Sequence, residues 1–379
     1  HYLVQKPFQT PEAYRAWPSP APAFVLLVGN GHYDFQNFLR SSNPKPIYLP
    51  PLLGCWDPWL CEVASDNRLA TVDGDDPLPD MMLGRLPVRS VAEANTVVSK
   101  ILQYEQAPPA GDWRQRILFV ADNNRTSTGQ PDPAGNFEFQ SEAVIAQLPP
   151  GYPPARVYFD PYPTDDQGEP YRYRTPAQTT PAIVAALDQG QLFTNYIGHA
   201  ASNVWAHEWL FIGPSRNRND LAQVANGPRL SVHLSMACLT GNFADPTYNS
   251  LDAELLLHAA GGSVASWGAT GFGVATGHDW LQQGFYQAVF QKGLARLGPA
   301  TLDSKLDLYL ATQSHHDLID TYGLLGDPAT RLPIGPDLQV SHTAPAGPLG
   351  PGDAFSYVAH IANTGDFPSA ANQTLAIDL

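Results

Sequence analysis

His233–Phe243 reads HLSMACLTGNF. Small and apolar residues run up to Cys238, and a polar turn containing Gly241 follows. Extended back to Leu230, the stretch LSVHLSMAC has the length and apolar continuity of a strand buried on both faces. Its last residue is a thiol. In open parallel α/β sheets, ligands bind beyond the carboxyl ends of the strands. Cys238 therefore reads either as a structural thiol at a strand end or as a nucleophile placed where such sheets do their chemistry.

The flanking sequence supplies the rest of that sheet. Strand-like runs recur at FVLLVGNGHYD (Phe24–Asp34), DMMLGRLPV (Asp80–Val88), RILFVAD (Arg116–Asp122), ARVYFD (Ala155–Asp160), GQLFTNYIGH (Gly190–His199) and GSVASWGAT (Gly262–Thr270). Helix-like segments separate them. In SVAEANTVVSKILQYEQ (Ser90–Gln106), Ser90 can cap the helix, and Val91, Ala94, Val97, Val98, Ile101 and Leu102 share one face. FQSEAVIAQL, TPAQTTPAIVAALDQ and SLDAELLLHAAGG read as further helices, the last closed by glycine. Buried apolar strands alternating with helices predict an α/β protein built on a mostly parallel sheet flanked by helices. The PPAGDW break divides it into an N-terminal α/β subdomain, residues 1–109, and a catalytic one, residues 110–335. From residue 336 the texture changes. AFSYVAHIANTG and QTLAIDL alternate like antiparallel strands, and residues 336–379 read as the start of an immunoglobulin-like β domain too short to close.

Composition narrows the function. The 379 residues carry 43% hydrophobic and 15% charged side chains, which fits a globular chain. A net charge of −15 argues against nucleic acid and anionic membrane surfaces as partners, and permits cationic substrates and Ca²⁺. No apolar run reaches the length of a membrane span. Of the three cysteines, Cys55 and Cys61 flank WDPWL and are close enough to bridge, although two free thiols would look the same. If they bridge, Cys238 is the odd thiol.

His199 and Cys238 end two of the strand-like runs, with room for a crossover between them. A thiol needs a base to become a thiolate at neutral pH, and a histidine at the end of a neighbouring strand would supply it. Other motifs are weaker. HEWLF (His207–Phe211) has Phe211 where a zinc-binding helix needs its second histidine. His315 and His316 are adjacent on a presumed helix and do not face one way. GNGHYD lacks a phosphate-loop pattern, and no G-x-S-x-G is present. The acidic run SDNRLATVDGDDPLPD holds Asp66, Asp73 and Asp75 at a spacing that can wrap Ca²⁺.

Taken in order, VLLVGNGHYD, SDNRLATVDGDDPLPDMMLGRLPV with the following VVSKILQYE, YIGHA…W, MACLTGNF and the closing LGDP resemble the gingipain-type cysteine peptidases, family C25 of the caspase-like clan. The resemblance covers roughly residues 20–335. It implies a Cys238–His199 dyad, an oxyanion hole from the N–H groups of Ala200 and Cys238, and protein or peptide substrates. It also implies a secreted or cell-surface location, calcium stabilisation and a following immunoglobulin-like domain. Relatives commonly have glycine after the histidine; Ala200 keeps the N–H and loses glycine's backbone freedom. By the same resemblance, Asp122 would orient the histidine. Glu138, or failing it Asp279, would supply a pocket carboxylate selecting a basic side chain before the cleaved bond. Two other readings fit the same residues: a transpeptidase that passes the acyl group to an amine, and an inactive surface or binding protein.

Overall fold

The computed structural model describes residues 23–126, 128–162, 168–334, 338–343 and 358–363. Its strands, in chain order, begin with β1 (Phe24–Val28), a hairpin of β2 (Leu53–Asp57) and β3 (Cys61–Ala64), and β4 (Met82–Leu86). After helix α1 (Val91–Gln106) come β5 (Ile117–Ala121), α2 (Phe137–Ile145), β6 (Pro154–Phe159), β7 (Arg172–Tyr173), α3 (Pro176–Asp188) and β8 (Phe193–Ile197). Three two-residue strands follow: β9 (Ala200–Ala201), β10 (Val204–Trp205) and β11 (Phe211–Ile212). Then come β12 (Ser231–Met236), α4 (Leu251–Leu257), β13 (Ser263–Ala269), α5 (Ala275–Phe290), α6 (Leu297–Ala311), α7 (Asp317–Thr321) and β14 (Tyr322–Leu325).

Nine strands form one sheet in the order β1-β4-β14-β13-β12-β8-β5-β6-β7. Every neighbour pair is parallel except β13 with β14. The mostly parallel sheet expected from the apolar runs is therefore present. Strands β5, β8, β12 and β13 are buried along their whole length, as a sheet covered on both faces requires. On one side Leu118, Val120, Tyr196, Trp205, Phe211, Leu251 and Leu255 cluster. On the α5 side Phe193 packs edge-on against Phe285 and Tyr286.

The sheet also runs through the division expected at residue 110. β1 and β4, before it, join the later strands through β14. The two expected α/β subdomains thus share one sheet, and the first compact unit extends to Arg331. Leu332–Leu379 forms a second unit, in which β15 (Leu338–Thr343) pairs antiparallel with β16 (Val358–Asn363). This ribbon alone does not make an immunoglobulin-like sandwich, and the strand expected at QTLAIDL lies outside the described residues.

Helix α1 departs from its expected face. Ser90 does cap it, accepting the Glu93 N–H at 3.2 Å. The buried positions, however, are Val97, Lys100, Ile101 and Tyr104, while Val91, Val98 and Leu102 stay exposed. Lys100 is the reason. Its stem crosses the interface and its ammonium donates to the carbonyls of Leu255, Leu256 and His258 at the end of α4. A helix C-terminus leaves carbonyls without partners, and a cation there satisfies them.

At the other side of the sheet, Arg85 on β4 is fully buried. Its guanidinium meets Asp66 in two bonds of 2.6 and 2.7 Å and donates to the carbonyls of Gly29 and Leu49. It also lies over the Phe243 ring at 4.4 Å. One side chain therefore ties the end of β1, the segment after it, the 66–69 turn and the loop that follows Cys238. Removing one member of a buried ion pair leaves the other charge uncompensated. Arg85→Leu should lower unfolding free energy by about 3–5 kcal/mol, measured by denaturant unfolding. A loss below about 1 kcal/mol, the range of exposed pairs, would show that the pair is not buried in solution.

Candidate active site

Strands β8 and β12 are parallel neighbours, with Ile197 opposite Met236. His199 and Cys238 each follow that last pair by two residues. The Gly198 N–H reaches the Met236 carbonyl at 3.4 Å, so the pairing continues to the edge of the site. Neighbouring strands lie about 4.8 Å apart, so equal register brings the two strand ends out at the same level. Gly198 is required between them. A β-carbon there would stand 2.3 Å from the Asp122 β-carbon and 2.7 Å from the Tyr196 hydroxyl.

Around Cys238 the chain leaves β12 and turns sharply. Leu239 takes φ 63°, a left-handed conformation that non-glycine residues adopt only when the surroundings impose it. Two contacts impose it: the Leu239 N–H donates to the Gly271 carbonyl at 3.0 Å, and the Gly241 N–H to the Ala269 carbonyl at 2.9 Å. The Cys238 thiol itself donates to the Gly273 carbonyl at 3.6 Å. Burial pushes the thiol up, and the negative Asp57 raises it further. The resting sulfur is thus a protonated thiol that needs a base.

His199 is held at every polar atom of its backbone. Its N–H donates to Asp122 Oδ2 at 3.1 Å, and its carbonyl accepts from the Tyr196 hydroxyl at 2.5 Å and the Ala206 N–H at 2.7 Å. Asp122 was expected to orient the imidazole, and this is corrected: it grips the histidine's backbone. The ring contact is made by Asp132, whose Oδ2 lies 3.0 Å from Nε2. The reason is geometric. Asp122 directly follows β5, level with the backbone of the adjacent β8, whereas the loop after β5 rises high enough to reach the ring. Phe137 meets the imidazole edge-on at 5.5 Å, and His207 stacks on it at 4.7 Å. Asp132 and His207 were missed in the sequence because one sits in a proline-flanked loop and the other in a rejected motif. Neither position carries a periodic signal.

The oxyanion donors expected are the N–H groups of Ala200 and Cys238. In the β9–β10 hairpin, Ala200 lies opposite Trp205, and the Ala206 N–H donates to the His199 carbonyl. Hydrogen-bonded and open pairs alternate along antiparallel strands, so Ala200 falls in an open pair and its N–H points away from the hairpin. The Cys238 N–H has no acceptor among the described residues. Ala200 is not among the residues with positive φ, so alanine in place of glycine imposes no backbone strain.

The remaining expected residues divide. Glu138, at the start of α2, is bound by Arg172 through two bonds of 2.5 and 2.7 Å, which corrects its expected role as a free pocket carboxylate. It lines a polar cavity of about 290 Å³ together with Asp122, Asn136, Asp160 and Arg172. Asp279 on α5 is half-buried, accepts from Gln282 and Gln283, and has no cationic partner among the described residues. The calcium ligands do not converge. Asp66 is buried against Arg85, while Asp73 and Asp75 are exposed. Among the described residues no group of three or more His, Cys, Asp or Glu side chains is arranged to hold a metal ion. No helix among them is long and apolar enough to cross a membrane.

Comparison with known proteins places this geometry. The profile of peptidase family C25 matches residues 10–333. Gingipain R2 of Porphyromonas gingivalis is 22% identical over 182 residues, 48% of this chain and 22% of that protein. Lys-gingipain W83 of the same organism is 22% identical over 228 residues, 59% of this chain and 10% of that protein. The matches thus span less than a quarter of these relatives' length. The crystal structure of the Arg-specific cysteine proteinase gingipain R superposes with a TM-score of 0.66 at 19% identity, covering 91% of this chain and 71% of that one. The fold is shared.

Beside the turn that follows Cys238, Asp252 is fully buried. It accepts from the Ser235 hydroxyl at 2.6 Å, and its N–H donates to the Thr240 carbonyl. Burial raises its carboxyl to about 6, partly offset by the hydrogen bond from Ser235. The folded state therefore holds a proton that the unfolded chain has already released. Its stabilising contribution is complete below the unfolded pKa of about 4 and is lost as pH rises through about 6. Between pH 4 and pH 7, wild type should lose on the order of 3 kcal/mol relative to Asp252→Asn, measured by denaturant unfolding at both pH values. Parallel pH profiles for the two proteins would refute the buried-acid reading.

Proposed function

The chain belongs to peptidase family C25, and from that membership we propose that it is a cysteine endopeptidase acting through Cys238 and His199. The observation that supports the proposal is the common register of β8 and β12, whose last pair, Ile197 with Met236, is followed two residues later by His199 on one strand and Cys238 on the other. The protonated thiol gives its proton to the imidazole as the sulfur attacks the substrate carbonyl. Asp132 at Nε2 leaves Nδ1 for this exchange and stabilises the imidazolium. The N–H groups of Ala200 and Cys238 receive the oxyanion. His199 then protonates the leaving amine, and water releases the acyl group by the reverse path.

Cys238→Ala should abolish peptide hydrolysis in a protein that still melts cooperatively. His199→Ala should lose at least about 10²–10⁴-fold in kcat/KM. Asp132→Asn should also lose activity, while retaining alkylation of Cys238 by iodoacetamide. Undiminished hydrolysis by Cys238→Ala would remove the assignment.

We also propose cleavage after basic residues, Arg ahead of Lys, with Asp279 as the selecting carboxylate. Of the two candidate acids, Asp279 is the one without a cation of its own, while Glu138 is neutralised by Arg172. A guanidinium takes a carboxylate through two parallel bonds, which an ammonium cannot match. The net charge of −15 favours approach of cationic segments. Wild type should prefer Arg over Ala before the cleaved bond by a large factor in kcat/KM, and Asp279→Asn should shrink that factor while Glu138→Gln leaves most of it. A wild type preferring apolar residues would refute the specificity and leave the dyad standing. We propose, finally, that the protein works outside the cell or on its surface, as its resemblance to the gingipains implies.

A further inference from the structure

The β2–β3 hairpin lies far from the nucleophile in sequence and reaches it in space. It is closed by a disulfide between Cys55 and Cys61. Asp57 ends β2 and is almost wholly buried, with no cationic partner among the described residues. Its Oδ1 accepts the N–H groups of Trp59 and Leu60, both at 2.7 Å, and so shapes the hairpin tip. Its Oδ2 accepts the Phe272 N–H at 2.5 Å, across 215 positions of sequence.

Phe272 is the middle of the loop that brackets Cys238. The carbonyl before it, of Gly271, accepts the Leu239 N–H, and the carbonyl after it, of Gly273, accepts the Cys238 thiol. The loop thus touches the nucleophile and the strained residue beside it with two carbonyls on either side of Phe272, while Asp57 holds the Phe272 N–H. The fit is close: a β-carbon on Gly271 would stand 2.3 Å from Asp57 Oδ2. Thr270, at the start of the same loop, donates to the Ala64 carbonyl at the end of β3, so the hairpin grips the loop twice.

We propose that Asp57 is a positioning residue for the nucleophile, carried on a disulfide-closed hairpin to fix the 271–273 loop around Cys238. The proposal rests on Cys238 being the nucleophile. Its charge has a second effect: the Asp57 carboxylate raises the Cys238 thiol, keeping the sulfur protonated until His199 takes the proton. The other titratable groups around this sulfur are His199 beyond β8, Tyr196 on β8 and Tyr322 at the start of β14; Asp317 on α7 feels Asp57. Freed from Asp57, the loop would let the thiol and Leu239 drift from the oxyanion donors, and small misplacements of a reacting atom are costly.

The test compares wild type with Asp57→Asn, which removes the charge at constant size, and with the Cys55→Ala/Cys61→Ala double variant, which opens the hairpin without touching Asp57. Each is read by the pH dependence of Cys238 alkylation with iodoacetamide and by kcat and KM for one peptide substrate. Asp57→Asn should move the alkylation midpoint to lower pH and cut kcat about ten- to a hundredfold with less change in KM. The double variant should cut kcat in the same direction. If Asp57→Asn does not fold, the double variant decides alone. An unchanged kcat and alkylation profile in the folded variants would overturn the proposal. Cys238→Ala is assayed alongside: if hydrolysis survives there, it is the nucleophile assignment that has failed, and not only the role of Asp57.

Discussion

Everything at the catalytic edge depends on the register between two parallel strands. With Ile197 paired to Met236, the next residues of β8 and β12 leave the sheet at the same level. A slip of one residue would turn every side chain of one strand to the opposite face. It would also put Cys238 and His199 at different levels of the sheet edge. The register is set by burial: β8 and β12 expose nothing along their length, and Phe193, Tyr196, Leu234 and Met236 have places only in this pairing.

Beyond the strand ends, burial gives way to carboxylates that accept hydrogen bonds from backbone N–H groups and from a serine hydroxyl. Asp122 holds the His199 N–H, Asp252 lies beside the turn that follows Cys238, and Asp57 holds the loop facing the thiol. Each is buried, and Asp57 and Asp252 have no cationic partner among the described residues. Such groups cost free energy to desolvate and are retained only where their acceptor capacity is used. Here it is used to keep a strained Leu239 and an adjacent histidine backbone from relaxing. A carboxylate suits this work because it accepts several N–H bonds at once and cannot donate one that would compete.

Around Phe243, in the loop after Cys238, the logic is reversed. Arg85 supplies donors to carbonyls, and its charge is met by Asp66. Lys45 does the same for the carbonyls of Phe243 and Tyr248, just past the nucleophile turn. The loop after Cys238 is thereby anchored by acids and by bases. The segment after Cys238 has no regular secondary structure and is held through many of its backbone groups.

Much of this was legible in the sequence. Unbroken apolar runs of strand length can satisfy themselves only inside a covered parallel sheet, so the strands and most helices could be read from their pattern. His199 and Cys238 could be read because they end two such runs. What the sequence could not supply was any polar contact between side chains or backbone groups far apart along the chain. Asp132 at the His199 ring, Arg172 on Glu138, Asp57 at Phe272 and Arg85 on Asp66 join segments with no periodicity, and their distances along the chain carry no information about distances in space. The α1 face was misread for the same reason: a lysine was drawn inward by carbonyls at the end of another helix, which local hydrophobicity does not register. The sequence by itself determined which residues must be buried, and with them the sheet and the two strand ends. The tertiary structure alone decided which charges meet there, because electrostatic partners are chosen by proximity in the folded chain.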